Sequence, residues 1–214
     1  MQQLILLIVI KKNYMKILAS LILVLSFYNC KAQYPVIDIT ESELGQPDGY
    51  YVKDVHNYLN QFEGTYLYSN GTTSFKIMLV KKVQQFNGRY YEDLIIGEYQ
   101  YIENGVEKVN TLSQINTVYN DQRSHNIDGN FPIQNNNRRW LCPECATGEK
   151  RLYGSIKDAS TNRYAEIFMR RTVENGQQVM KVKIGNVLRA PLIKGEPVPP
   201  DFSLPLGIFT FVKQ

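Results

Sequence analysis

The stretch Phe62 to Gly105 constrains this chain most, because tight-turn signals cut it into β-forming segments. Asn70-Gly71 and Asn104-Gly105 are the strongest hairpin signals, and Asn87-Gly88 marks a turn between them. A two-residue type I′ turn needs positive φ at both central positions, which Asn and Gly adopt at little cost. The segments between the turns are rich in Tyr, Phe, Ile, Val and Thr, types that suit a half-buried pleated surface. Phe75, Ile77 and Leu79 share one face of their segment; Ile95, Gly97, Tyr99 and Tyr101 share one face of the next, opposite Glu98 and Gln100. Glu98 reads as a solvated strand position. Met78, Val80, Leu94 and Ile96 are apolar on the other side, as expected of a strongly curved sheet whose faces change environment along their length. Gly97 in a strand interior predicts a bend or bulge.

Charge and the cysteines set the compartment. Residues 1–30 contain no acid and three lysines, Lys11, Lys12 and Lys16. Of 24 basic residues in all, 21 remain without them, against 20 acidic ones. The basic balance therefore belongs to the leader and is no argument for nucleic-acid binding, which needs a basic stripe in the folded domain; no nucleic-acid partner is expected. Ile17–Tyr28 is an apolar run of twelve residues between Lys16 and Cys30, too short to span a bilayer and matched to a signal-peptide core. Met15 reads as the natural start, residues 1–30 as an export signal, residues 31–49 as a polar tether and residues 50–214 as a single domain. Three cysteines are an odd number for a secreted chain. Lipidation of Cys30 leaves the pair Cys142 and Cys145 and predicts anchoring to the outer membrane through acyl chains. The competing reading is cleavage after Ala32, which releases a soluble periplasmic or secreted protein with Gln33 at its start.

Along the rest of the chain, Tyr51, Val55, Tyr58, Leu59 and Phe62 recur at helical spacing and predict a short helix over 52–61 capped by Asp54. Val106 to Gln114 continues the sheet or turns into a short helix at Leu112. Residues 119–139 read as a long polar loop. Strands are predicted over 150–157, 163–171, 178–184 and 207–212, with Asn175-Gly176 as a hairpin turn. The fold class that results is all-β: an antiparallel meander of about eight strands forming a closed or nearly closed barrel, with a β-sandwich as the alternative.

Two resemblances follow from particular residues. Leu59 through Tyr66, a short helix leading into Gly64-Thr65-Tyr66, resembles the opening of lipocalin-type barrels, with Tyr66 where those have Trp. That resemblance implies a basic residue packed over Tyr66, and Lys213 and Arg171 are the candidates. Leader and domain together resemble a Bacteroidetes-type family of uncharacterised lipoproteins carrying a domain of unknown function. The matching pieces are Asn29 to Gln33, Tyr51 to Asp54, Leu59 to Tyr66, Gly88 to Asp93 with Ile96 to Tyr99, and Pro205 to Thr210. It implies an exported, membrane-tethered β-protein and carries over no activity.

The sharpest chemical motif is Cys142-Pro143-Glu144-Cys145. Its spacing suits half of a zinc site, with His125 as a third ligand and Glu149 to complete the set. It also suits a local disulfide in an oxidising compartment, or a redox pair, although the helix that a redox pair prefers is not indicated. Glu92 and Asp93 are adjacent, so they point to opposite sheet faces and do not converge as an acid–base pair. Serine-hydrolase, phosphate-loop and dinucleotide fingerprints do not occur in the sequence. Arg138-Arg139-Trp140 reads as a loop edge packed on the barrel rim or as a contact for an anionic or aromatic partner. Tyr66, Tyr68, Tyr90, Tyr91, Tyr99 and Tyr101 line a cavity or pack the core. The expectation is a non-catalytic binding module without a cofactor, tethered to the membrane and holding a small apolar ligand in the barrel. The alternative is a structural lipoprotein whose barrel is solidly packed and whose loops meet an envelope protein.

Overall fold

The structure, a computed structural model, describes residues 14–18, 20–21, 35–189, 195 and 197–214. Contacts group residues 35–214 into one compact unit. In the preceding unit the described residues are helical, and no described helix is long and apolar enough to cross a membrane. Cys30, and with it the cleavage and lipidation signals, lies outside the described residues.

Among the described residues eleven strands make one sheet. They are β1 (Val36–Asp38), β2 (Tyr51–Lys53), β3 (Gly64–Asn70), β4 (Thr73–Phe86), β5 (Tyr91–Glu103), β6 (Val106–Asn110), β7 (Ile127–Ile133), β8 (Arg151–Asp158), β9 (Arg163–Glu174), β10 (Gln177–Gly185) and β11 (Gly207–Lys213). β3, β4, β5, β7, β8, β9, β10 and β11 pair antiparallel in chain order, and β11 closes on β3 through Val212–Leu67 and Lys213–Tyr66. The result is an eight-stranded up-and-down barrel, which leaves no open edge in its ring. β5 organises it. One side of β5 pairs with β4; the other is divided among β2 at Tyr91–Glu92, β7 at Ile95–Gly97 and β6 at Gln100–Glu103.

The turns show what asparagine and glycine do locally. Asn104 and Gly105 both take positive φ, as do Asn175 and Gly176. At the first hairpin Asn70 instead pairs with Thr73 as the last strand residue, and only Gly71 takes positive φ. The expected type I′ turn is thus replaced by one with glycine at its first central position.

Three expectations are corrected. Residues 119–139 are not a structureless loop, because they contain the ring strand β7; β6 does continue the sheet, pairing with β5 off the ring. The expected helix over 52–61 is a strand, β2, followed by the single-turn 3-10 helix Tyr58–Phe62. Asp54 does cap that turn, accepting from the Tyr58 and Leu59 amides at 2.7 and 2.9 Å. Asn57, at φ 55°, breaks α continuity. Residues 35–49, expected as part of a tether, run against the domain: β1 pairs parallel with β2, and Ile39 is buried.

The core lies inside the ring. Phe75 packs against Tyr99, Tyr101 and Phe211 with ring centroids 5.5–5.6 Å apart. Ile77, Leu79, Ile95, Ile127, Ile156, Ile167, Met180 and Val182 fill the remaining inner positions. The apolar residues on the opposite face of β4 and β5 have a different cause from the expected curvature. Met78, Val80, Leu94 and Ile96 pack under Ile115 of the 3-10 turn Leu112–Asn116, an outer cover over the barrel wall. Gly97 makes no bulge. A Cβ there would fall 2.5 Å from Leu79 Cδ2 and 2.8 Å from the Met78 carbonyl, so glycine lets β4, β5 and β7 crowd together.

Candidate functional site

β7 reads Ile-Asp-Gly-Asn-Phe-Pro-Ile, and its register with β8 shifts between Gly129 and Phe131. Asn130 is the extra residue of this bulge. The bulge rests on the glycine pair Gly129–Gly154, for a Cβ on Gly154 would lie 2.0 Å from the Asp128 carbonyl oxygen. It sends Asp128 and Asn130 to the outer wall and turns out Phe131, which is 54% exposed.

On that wall Glu92 is buried and accepts from Arg123 Nε at 2.6 Å, from Arg123 Nη2, from Asn130 Nδ2 at 2.6 Å and from Asn87 Nδ2 at 3.0 Å. Burial works against the Arg123 charge, and the two-pronged bond to Glu92 outweighs it, so the guanidinium is held above its ordinary range. Asp128 accepts from Ser155 Oγ and lies 3.9 Å from Arg123 Nη1. Burial pushes its carboxyl up to about 6, against the opposing pull of Ser155 and Arg123. A pocket of about 300 Å³ opens among these groups, and a second of about 520 Å³ lies among Ile133, Asn137, Arg139 and Phe168. Phe131 and Tyr153 line both. Phe131 also borders a recess of about 620 Å³ formed by residues 40–45 and Arg89. Tyr153 is fixed by Phe168 at 5.1 Å, by Arg139 over its ring at 5.5 Å, and by Glu166, which accepts from its hydroxyl at 3.1 Å.

The loop over 134–150 is strapped to the wall beside this groove. Arg151 is fully buried and donates to the carbonyls of Trp140 and Gln134, with its guanidinium 5.0 Å from the Trp140 ring. Burial, and then repulsion by Arg170, lowers the affinity of Arg151 for its proton. Arg170 binds Glu149 at 2.7 Å and Glu144 at 3.2 Å. Cys142 and Cys145 are joined by a disulfide within the loop, with Cα atoms 5.3 Å apart.

The residues singled out from the sequence are thus dispersed. His125 is buried on the outer face of β5, bonded through Nδ1 to Glu98 at 2.7 Å and through Nε2 to the Thr117 carbonyl at 3.2 Å. The cysteines hold each other, and Glu149 holds Arg170, so these groups do not assemble as a ligand set. Among the described residues no group of three or more His, Cys, Asp or Glu is placed to hold a metal. Glu98, read as solvated, is 0% exposed and also accepts from Asn126 Nδ2 at 2.7 Å. Glu92 and Asp93 do point apart: Asp93 faces inward and accepts from Tyr51 Oη and from the Asp54 and Gln84 amides. Trp140 packs with Ile133, Tyr153 and Phe168 outside the ring. Tyr66, Tyr99 and Tyr101 are core, and Tyr90 stacks on Tyr50 at 4.5 Å. Both basic candidates lie over Tyr66, Arg171 at 5.2 Å and Lys213 at 5.9 Å. Sequence reasoning missed Arg123, Asp128, Asn130 and Phe131. The available signal was the alternation of Ile127, Gly129 and Phe131 with Asp128 and Asn130, masked by turn-forming residue types.

Comparison with curated proteins and with solved structures finds no match. Residues 12–214 match a family of unknown function, DUF6705, and the chain belongs to that family.

Proposed function

We propose that this chain is an exported, lipid-anchored envelope protein that acts by binding and not by catalysis, and that an envelope protein docks on the outer-wall groove centred on Phe131. The observation that carries the reading is the contrast between a barrel interior filled by Phe75, Tyr99, Tyr101 and Phe211 and an outer wall with connected recesses around a half-exposed aromatic. The small apolar ligand expected inside the barrel gives way, in this reading, to a partner outside it. Tyr153 and Arg139 are residue types that dominate binding energy at protein interfaces, and phenylalanine, as at Phe131, is enriched in interface cores. Export is supported by the lysine-flanked apolar run and Cys30, and a disulfide at Cys142–Cys145 suits an oxidising compartment.

A photo-crosslinking amino acid at position 131, expressed in the native host, tests the docking. The expected result is a discrete crosslinked envelope protein that the same label at exposed Val118 does not give. Identical patterns from both positions, or no adduct at 131, overturn it. Fatty-acid labelling that survives Cys30→Ser overturns the anchor.

A further inference from the structure

At one end of the barrel a further pocket, of about 380 Å³, lies between the 3-10 helix Tyr58–Phe62 and the ends of β9 and β11. Its lining includes Arg171, Lys213, Asn60, Gln61 and Gln178 and contains no acid. Arg171 is held by neutral acceptors only: Nε donates to the Gln61 carbonyl at 3.0 Å, Nη1 to the Val179 carbonyl at 2.7 Å and Nη2 to Gln178 Oε1 at 2.8 Å. A guanidinium carries five N–H groups, so two remain. With its oxygen taken by Arg171, Gln178 keeps its amide N–H groups for another acceptor. Lys213 lies over Tyr66, and its ammonium has no hydrogen-bond acceptor among the described residues. Neither cation has an ion-pair partner among the described residues. The acids nearest in the chain are engaged elsewhere: Glu63 accepts from the Lys81 amide at 2.8 Å, and Glu174 pairs with Lys181 at 2.7 Å. Gly64 leaves room for the lysine, since a Cβ there would fall 2.9 Å from Lys213 Cε.

We infer that this pocket binds a phosphate group, with Arg171 and Lys213 supplying the charge and Gln178 a neutral donor. Two oriented cations and amide donors, with no carboxylate in the pocket lining, match a tetrahedral oxyanion and leave a cationic or apolar ligand unmatched. The phosphate is either a free anion or a lipid headgroup. The strands alternate in direction, so the ends of β9 and β11 and the start of β5 share one end of the barrel. Pro35 reaches that same end, where its carbonyl accepts from Tyr51 beside Tyr91. The headgroup source alone rests on the anchored reading proposed above.

The test uses the full chain carrying Cys30→Ser, so that no acyl chain contributes, and titrates it with inorganic phosphate by calorimetry at low salt. Saturable binding is expected, weakened at least tenfold by Lys213→Gln and largely restored by Lys213→Arg, with unchanged thermal unfolding as the control for folding. A second arm measures flotation with phosphatidylcholine vesicles with and without phosphatidylglycerol. Lysine-dependent recruitment to the anionic vesicles assigns a headgroup; phosphate binding without recruitment assigns a free anion. No saturable binding in either arm, or equal binding by Lys213→Gln, overturns the site. Failure here leaves the Phe131 crosslink untouched, and failure of the crosslink leaves this pocket untouched.

Discussion

The two faces of β5 hold their polar groups in different ways. Inward it carries Asp93, Ile95, Gly97, Tyr99 and Tyr101; outward it carries Glu92, Leu94, Ile96 and Glu98, and all are buried or in the crowded interior. The inward carboxylate, Asp93, is satisfied by a hydroxyl and two backbone amides, and Asp158 at the opposite end of the barrel is likewise satisfied by Ser160 and Ser203. The outward carboxylates take basic partners, Arg123 for Glu92 and His125 for Glu98, from the connection that precedes β7. Packing area therefore stabilises the inside, whereas the outer pairs specify where the connection lies. Buried ion pairs are weak sources of net stability and strong sources of loss when one partner is removed.

The largest expected effect is inside. Phe75→Ala removes the ring at the centre of the aromatic cluster and costs about 3–5 kcal/mol, read as a drop in the urea midpoint. A loss below about 1 kcal/mol would mean that the interior is not the source of stability.

Breaking the outer face comes next. Glu98→Ala strands His125 and Asn126 and costs about 3 kcal/mol. The double variant Glu98→Leu/His125→Leu recovers at least half of that, because it removes both members of the pair and leaves only the Asn126 amide without its acceptor. If the double variant is as unstable as the single one, the pair is a true stabiliser and the two faces are alike.

The strap is third. Cys142→Ser with Cys145→Ser opens a loop of only four residues, and the chain-entropy relation gives about 2 kcal/mol for that length. The change is expected to be local, raising hydrogen exchange around Trp140 before it reaches the ring.

The last effect, about 2 kcal/mol at each residue, is a pH dependence that separates Asp158 from Asp128. Burial opposes ionisation of Asp158, but Ser160 and Ser203 prevail and hold its carboxyl at about 2, below the ordinary value of 3.8. Its stabilisation is complete above about pH 4 and is lost as pH falls through about 2. Asp128 is opposite in sign: raised to about 6 by burial, it favours the fold when protonated, fully below about pH 4, and that contribution is lost as pH rises through about 6. Unfolding midpoints from pH 2 to 8 check both. Asp158→Asn flattens the acid limb and Asp128→Asn the limb between pH 4 and 6.5; an Asp128→Asn curve parallel to wild type refutes the assignment.

Much of the barrel was legible from local chemistry. Asn104-Gly105 and Asn175-Gly176 make their turns without help from the rest of the molecule, and period-two alternation assigned Ile95, Gly97, Tyr99 and Tyr101 to one face. β7 was not legible, because Asp128, Gly129, Asn130 and Pro132 carry turn chemistry. It becomes a strand only because β5 leaves an edge open between β2 and β6, and because Gly129 and Gly154 allow close approach. The candidate groove went unseen with it, since Arg123, Asp128 and Phe131 converge only on that bulge.

Alternation, turn residues and β-forming side chains together determined that this chain is an antiparallel meander, with its strand faces assigned. Those signals act over a few residues and are written in the covalent order. Whether a face meets water, lipid, a ligand or another part of the chain is set by segments distant in sequence. The tertiary structure alone decided that the inside is packed with aromatic rings, that Glu98 is buried beside His125, and that the open recesses lie on the outer wall and at the end of the barrel.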